Sequence, residues 1–163
     1  MSDGRGDGLD VSGLSPSDAA VALRSYPRRF RSLLTGLEPD EELDAEAVAH
    51  AAQLGRVLAQ IGNALAKVLS SDDAVIPAGV LDEGQRDWTM PADDDVERVL
   101  AGLAAEAEGL AAVSGGVAAD DWKRAGQVTG GTTVTALDLL RQAVVTGHRH
   151  LRDAEAAQRA AGR

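Results

Sequence analysis

Three histidines, His50, His148 and His150, have the strongest claim to chemistry in this 163-residue chain, because imidazole both ligates metals and moves protons near neutral pH. Their spacing decides which can act together. His148 and His150 are two residues apart, which turns them about 200° from one another on a helix, so one straight helix cannot bring both to one ion. Metal sites in helical bundles use inward-facing side chains on facing helices, often at i and i+3 or i+4. Four residues before His50 stands Glu46, and four before His150 stands Thr146. Zinc, nickel or iron would accept His50, His150 and a carboxylate such as Glu46, while a threonine hydroxyl is a poor ligand suited to holding water. His50 and His150 are therefore the first candidates for a metal, with Glu46, Thr146 and His148 as further ones. The other reading of the same pair is two imidazoles flanking an apolar seam with ordinary hydrogen bonds.

Other chemistries are poorly represented. The chain has no cysteine, which excludes disulfides, thiolate zinc sites and a cysteine nucleophile; any thiol would have to come with a ligand. A formal net charge of −10 repels phosphate backbones and argues against nucleic acid. The basic run Arg24, Arg28, Arg29 and Arg31 reads as a solvated helix face more readily than as an anion site. Asp93 to Asp95 and Asp120-Asp121 sit at a helix start and in a connection, where capping explains them better than acid–base catalysis. Ser70, Ser71 and Ser114 match no nucleophile elbow. Gly115-Gly116 and Gly130-Gly131 lack the strand-to-helix context of a phosphate loop.

The elements that must position the histidines are helices. One Phe, one Tyr, two Trp and two Met leave Ala, Leu and Val to fill the core, and such small side chains favour closely packed helices over sheets. Helix 1 opens at Ser15-Pro16-Ser17-Asp18, with Ser15 as cap and Pro16 at the first helical position. Its stripe is Ala19, Leu23, Tyr26, Phe30, Leu33 and Leu37, and Pro27 within it should kink or split the helix. Helix 2 runs from about Asp44 to Ser70 with the stripe Ala47, Ala51, Leu54, Leu58, Ile61, Leu65 and Val68. Residues 71–92, including Trp88, show no sustained period and read as a long crossover. Helix 3 follows Pro91 with Val96, Leu100, Leu103, Ala107 and Leu110, and Gly115-Gly116 ends it. Helix 4 starts at the capping box Thr135 to Asp138 and carries Leu137, Leu140, Val144, Gly147, Leu151 and Ala154.

Heptad positions then place the histidines. With Ala51 and Leu54 at a and d, His50 is a g residue flanking the seam, and His150 before Leu151 is its equivalent on helix 4. His148 falls on the opposite flank. Gly147 between them either lets a neighbouring backbone or a ligand come close or merely weakens the helix there. Four seams that cannot be buried alone can be buried against each other, so the expected fold is all-α, an antiparallel four-helix bundle with a long crossover between helices 2 and 3 and no competing β pattern. Residues 1–13 read as a disordered tail, in which Arg5-Gly6-Asp7 is incidental, and residues 14–163 as one domain. The tail has no apolar signal region and no stretch is long enough to span a membrane, so a cytoplasmic location is expected.

The segment Asp121-Trp122-Lys123-Arg124-Ala125-Gly126, then Gly130-Gly131-Thr132-Thr133-Val134-Thr135-Ala136-Leu137-Asp138-Leu139-Leu140-Arg141-Gln142-Ala143-Val144, then His148-Arg149-His150-Leu151-Arg152-Asp153, resembles the DinB-like superfamily. The resemblance covers most of the chain, including a first helix with an internal proline. It implies a four-helix bundle, a homodimer and, in many members, a divalent metal held by one histidine of helix 2 and two histidines four apart on the last helix. Carried over by position, His50 matches the first ligand and His150 the last, while the remaining position is Thr146. Some members are transferases or isomerases using mycothiol, bacillithiol or glutathione, among them mycothiol-dependent maleylpyruvate isomerases.

Two functions follow. One is a dimeric, non-catalytic bundle with a degenerate or weak metal site, in stress or thiol-related metabolism. The alternative is a metal-dependent S-transferase, isomerase or hydrolase, in which a metal at His50 and His150 activates a low-molecular-weight thiol or water in a pocket shaped by Gly147 and Trp88.

Overall fold

The computed structural model describes residues 9–81 and 95–162. The first eight residues of the expected tail, half of the expected crossover with Trp88, and Asp93 and Asp94 lie outside them. Helix α1 spans Pro16–Thr35, α2 Ala45–Ser70, α3 Val96–Gly116 and α4 Ala136–Ala161. Three short strands join them: β1 (Val75–Ile76), β2 (Ala125–Val128) and β3 (Thr133–Thr135).

Side-chain chemistry at the helix ends explains the boundaries. Ser15 accepts from the Asp18 N–H, Asp44 from the Glu46 and Ala47 N–H groups, and Asp95 from the Glu97 N–H. Thr135 and Asp138 form the full reciprocal capping box that opens α4. Each satisfies donors that the first helical turn leaves without carbonyl partners. Pro27 does not divide α1, which is continuous around it.

The expected stripes largely form the buried faces, with Val96 on α3 and Leu137 on α4 only partly buried. All seven residues read on α2 are buried, as are Leu100, Leu103, Ala107 and Leu110 on α3. On α1 the stripe drifts: Leu34 is buried while Leu33 is only partly so, and the helix ends before Leu37. A straight helix of 3.6 residues per turn falls about 20° short of two full turns every seven residues, so a stripe spaced at 3.5 drifts off the buried face.

The directions of the helices follow from which residues meet. Arg24 pairs with Glu108 and Arg31 with Glu97, so α1 and α3 are antiparallel. The Asp44 N–H donates to Gln158 while His50 meets His150, so α2 and α4 are antiparallel. In contrast, Gly55 lies against Leu103 and Gly62 shares a groove with Gly109, so α2 and α3 run the same way. Leu14 reaches Arg141 and Leu33 lies near Glu155, so α1 and α4 do too. The expectation of antiparallel neighbours thus holds for two adjacent pairs and not for the other two. Parallel α2 and α3 require a connection that returns along the length of the molecule, which is what a long crossover supplies.

The small sheet corrects the expectation that no strand forms. β1 pairs with β2 in parallel, Val75 with Gln127 and Ile76 with Val128, and β2 pairs with β3 antiparallel. Gly130 and Gly131 take φ of +111° and +107° in the turn between β2 and β3, a region that only glycine enters without strain. Arg124 fastens this unit to the end of α2, donating from Nε to the Val68 carbonyl and pairing with Asp72. Within the expected tail, Val11 is partly buried against the core, and the following Leu14 accepts from Arg141 Nε.

Candidate functional site

The site is fixed by the register between α2 and α4. Gln158, near the end of α4, is buried and clamps the entry to α2, accepting from the Asp44 N–H at 3.0 Å and donating to the Glu42 carbonyl at 2.7 Å. Two turns along α4 towards its start, the same antiparallel register brings His150 opposite His50. Their Nδ1 atoms stand 3.0 Å apart, with ring centroids at 5.2 Å and ring planes tilted by 53°.

That separation is a hydrogen-bonding distance. One Nδ1 must then carry a proton and the other present a lone pair, so the two rings are in different protonation patterns at Nδ1. His150 is buried and His50 half-buried. The pair lies at the edge of the core, as the g positions predicted.

Thr146, one turn before His150, is fully buried, and Gln142 Nε2 approaches its Oγ1 at 3.4 Å. Gln53, one turn after His50, is also buried, and its Oε1 has no hydrogen-bond partner. An unpaired buried amide oxygen loses hydration without replacement, at a cost of about 1–3 kcal/mol. Residues three or four apart share a helix face, so His50 with Gln53 and His150 with Thr146 form a polar strip within an otherwise apolar contact.

The remaining candidates are not gathered here. Among the described residues no third His, Cys, Asp or Glu stands with the pair as a metal-holding group. Glu46 is exposed near the start of α2. His148 faces the α1 side, where its burial and the positive charges of Arg152 and Arg29 hold its imidazole below the usual histidine range, against a smaller opposing effect of Glu155.

Gly147 admits a close neighbour, but that neighbour is an aromatic side chain rather than a backbone or a ligand. The Tyr26 ring of α1 lies over it so closely that an added Cβ would stand 2.6 Å from Cδ2 and 2.8 Å from Cζ. The Tyr26 hydroxyl then donates to the Val144 carbonyl at 2.7 Å. Burial pushes this phenol up to about 12, with Arg29 working in the other direction. Tyr26 thus braces the segment of α4 that carries Thr146 and His150.

Sequence reasoning placed Tyr26 in the core but missed its polar end, and it missed Gln53 altogether. The available signal was Gln53 three residues after His50, between the buried Ala51 and Leu54. Comparison with protein families, curated proteins and solved structures finds no match for this chain.

Proposed function

We propose that this chain is a DinB-like four-helix bundle whose metal site is degenerate, and that it works as a homodimeric binding protein of stress or thiol-related metabolism rather than as a metalloenzyme. The observation that carries this reading is the direct approach of His50 and His150, Nδ1 to Nδ1 at 3.0 Å, with the buried hydroxyl of Thr146 one turn away. A hydrogen bond between the rings engages the two Nδ1 atoms that face each other, so a metal held between them would have to displace it. The sequence resemblance asks for a third imidazole where Thr146 stands.

These residues do not fit a resident divalent metal. A structural or catalytic zinc ordinarily takes three or four protein ligands, and among the described residues two imidazoles have no third strong donor beside them. No catalytic step is therefore assigned to a metal. The imidazole pair instead offers one N–H donor and one acceptor that can exchange roles by moving a proton, beside a buried hydroxyl and an amide oxygen.

Elemental analysis of the purified protein tests this. We expect well under one equivalent of zinc, nickel or iron per chain, with no change in His150→Ala. A stoichiometric metal that is lost in His150→Ala would overturn the reading.

One observation favours the alternative, a metal-dependent enzyme using a small thiol such as mycothiol or bacillithiol. Gln53 Oε1 is a buried acceptor with no partner, on the same helix face as His50, and a carboxamide oxygen can serve as a weak ligand or accept from a bound molecule. Under this reading Gln53→Leu lowers the affinity for added zinc; under the first it leaves the affinity unchanged and stabilises the protein.

A further inference from the structure

The arginine run on α1 divides into two kinds of residue once the helices are packed. Arg24 and Arg31 turn towards α3 and pair with Glu108 and Glu97 at 2.7 and 2.9 Å. Arg28 and Arg29 make no ion pair or hydrogen bond among the described residues. They line a groove of about 560 Å³ between α1 and α4 together with Ser25, Ser32, Leu33 and Glu155. A second hollow of about 300 Å³ continues from Ser32, Leu33 and Glu155 towards Glu41 and Arg159.

We propose that the α1–α4 groove binds a small phosphorylated molecule, with Arg28 and Arg29 holding the phosphoryl group. Two guanidiniums without partners match the charge of a dianion. Their planar N–H forks suit its oxygens, since guanidinium binds phosphate through paired, charge-assisted hydrogen bonds. Ser32 adds a hydroxyl on the same wall, whereas Ser25 already donates to the Ala22 carbonyl at 2.6 Å and presents its remaining lone pairs. Leu33 supplies an apolar floor, and the volume falls in the range of small-molecule sites. Two unpaired cations beside each other on a chain of net charge −10 are a local reversal of sign. Glu155 and, further along, Glu41 oppose the anion, so the phosphoryl end is placed at Arg28 and Arg29 and the remainder of the ligand runs towards Glu155.

The test is a calorimetric titration of the full chain with inorganic phosphate, glucose 6-phosphate, acetate and phosphatidylglycerol vesicles. Saturable one-to-one binding of both phosphates is expected, with acetate at least tenfold weaker and no binding to vesicles. Arg29→Gln and Arg28→Gln should each weaken phosphate binding at least fivefold, and Glu155→Gln should tighten it two- to threefold. The tightening separates a binding role from damage to the fold, because a disturbed groove would lose affinity in all three variants. No saturable phosphate binding, equal binding of acetate, affinity for vesicles alone, or affinity indifferent to Arg28→Gln and Arg29→Gln would each overturn the proposal.

Discussion

Individual side chains near the histidine pair make sharp demands on their neighbours. Gly147 faces an aromatic ring with no room for a methyl group, so Gly147→Ala must displace Tyr26 or bend α4. Forcing an extra carbon into a packed contact costs about 1–3 kcal/mol, which chemical denaturation would register as an earlier midpoint with an unchanged slope. Tyr26 gives a second prediction. Its hydroxyl ionises in the unfolded chain near the ordinary value of about 10 but in the folded protein only at about 12. The folded state therefore binds more protons between these values. The stabilisation from Tyr26 is complete below pH 10 and is lost as pH rises to 12, by about 3 kcal/mol in all. Since Tyr26 is the single tyrosine, absorbance titration of its phenolate is unambiguous. Tyr26→Phe should remove this alkaline slope from the stability curve, and a midpoint near 10 in the folded protein would contradict the buried environment. The importance of Gly147 was legible because its d position put it against a neighbour. The hydroxyl of Tyr26 was not, because its partner is a backbone carbonyl on a distant helix that leaves no mark in the sequence.

Among the elements, helices were easier to read than strands for a physical reason. The α2 stripe repeats over seven positions, and its period carries through the entire element. The strands contain two, four and three residues, too few for an alternation to emerge, and β1 pairs with β2 across a long intervening stretch of chain. Their stability comes from tertiary partners such as Arg124 and the glycine turn, so local propensity is silent. The capping box of α4 was visible because both of its members lie within one turn. Replacing its hydroxyl in Thr135→Ala leaves the Asp138 N–H without that acceptor and should cost about 1 kcal/mol, measurable as a lowered thermal midpoint. By contrast, Arg24→Gln should leave the thermal midpoint almost unchanged, because both partners of its ion pair with Glu108 are about half exposed and solvent screens such a pair. Gly126 is the stringent position of the sheet: a Cβ there would meet Val68 Cγ2 at 3.0 Å and the Ala74 carbonyl at 3.1 Å.

At the scale of the molecule, four long helices share one core, with α1 and α4 running one way and α2 and α3 the other. No helix among the described residues is long and apolar enough to cross a membrane. The antiparallel register of α2 and α4 brings two histidines from distant parts of the chain within hydrogen-bonding distance, and the parallel packing of α1 on α4 opens the groove that exposes Arg28 and Arg29. The first of these was readable in the sequence, since heptad positions put His50 and His150 on equivalent flanks. The second was not, because an arginine run on one helix gives no sign of which members will find acidic partners. In the proposed function the two imidazoles are closed on each other rather than around a metal. Nitrogen-15 NMR of the His50 and His150 rings during a zinc titration addresses it directly. We expect one protonated Nδ1 hydrogen-bonded to an unprotonated Nδ1, with both signals unmoved by an equivalent of zinc; both rings shifting together to a metal-bound state at that equivalence would overturn the proposal.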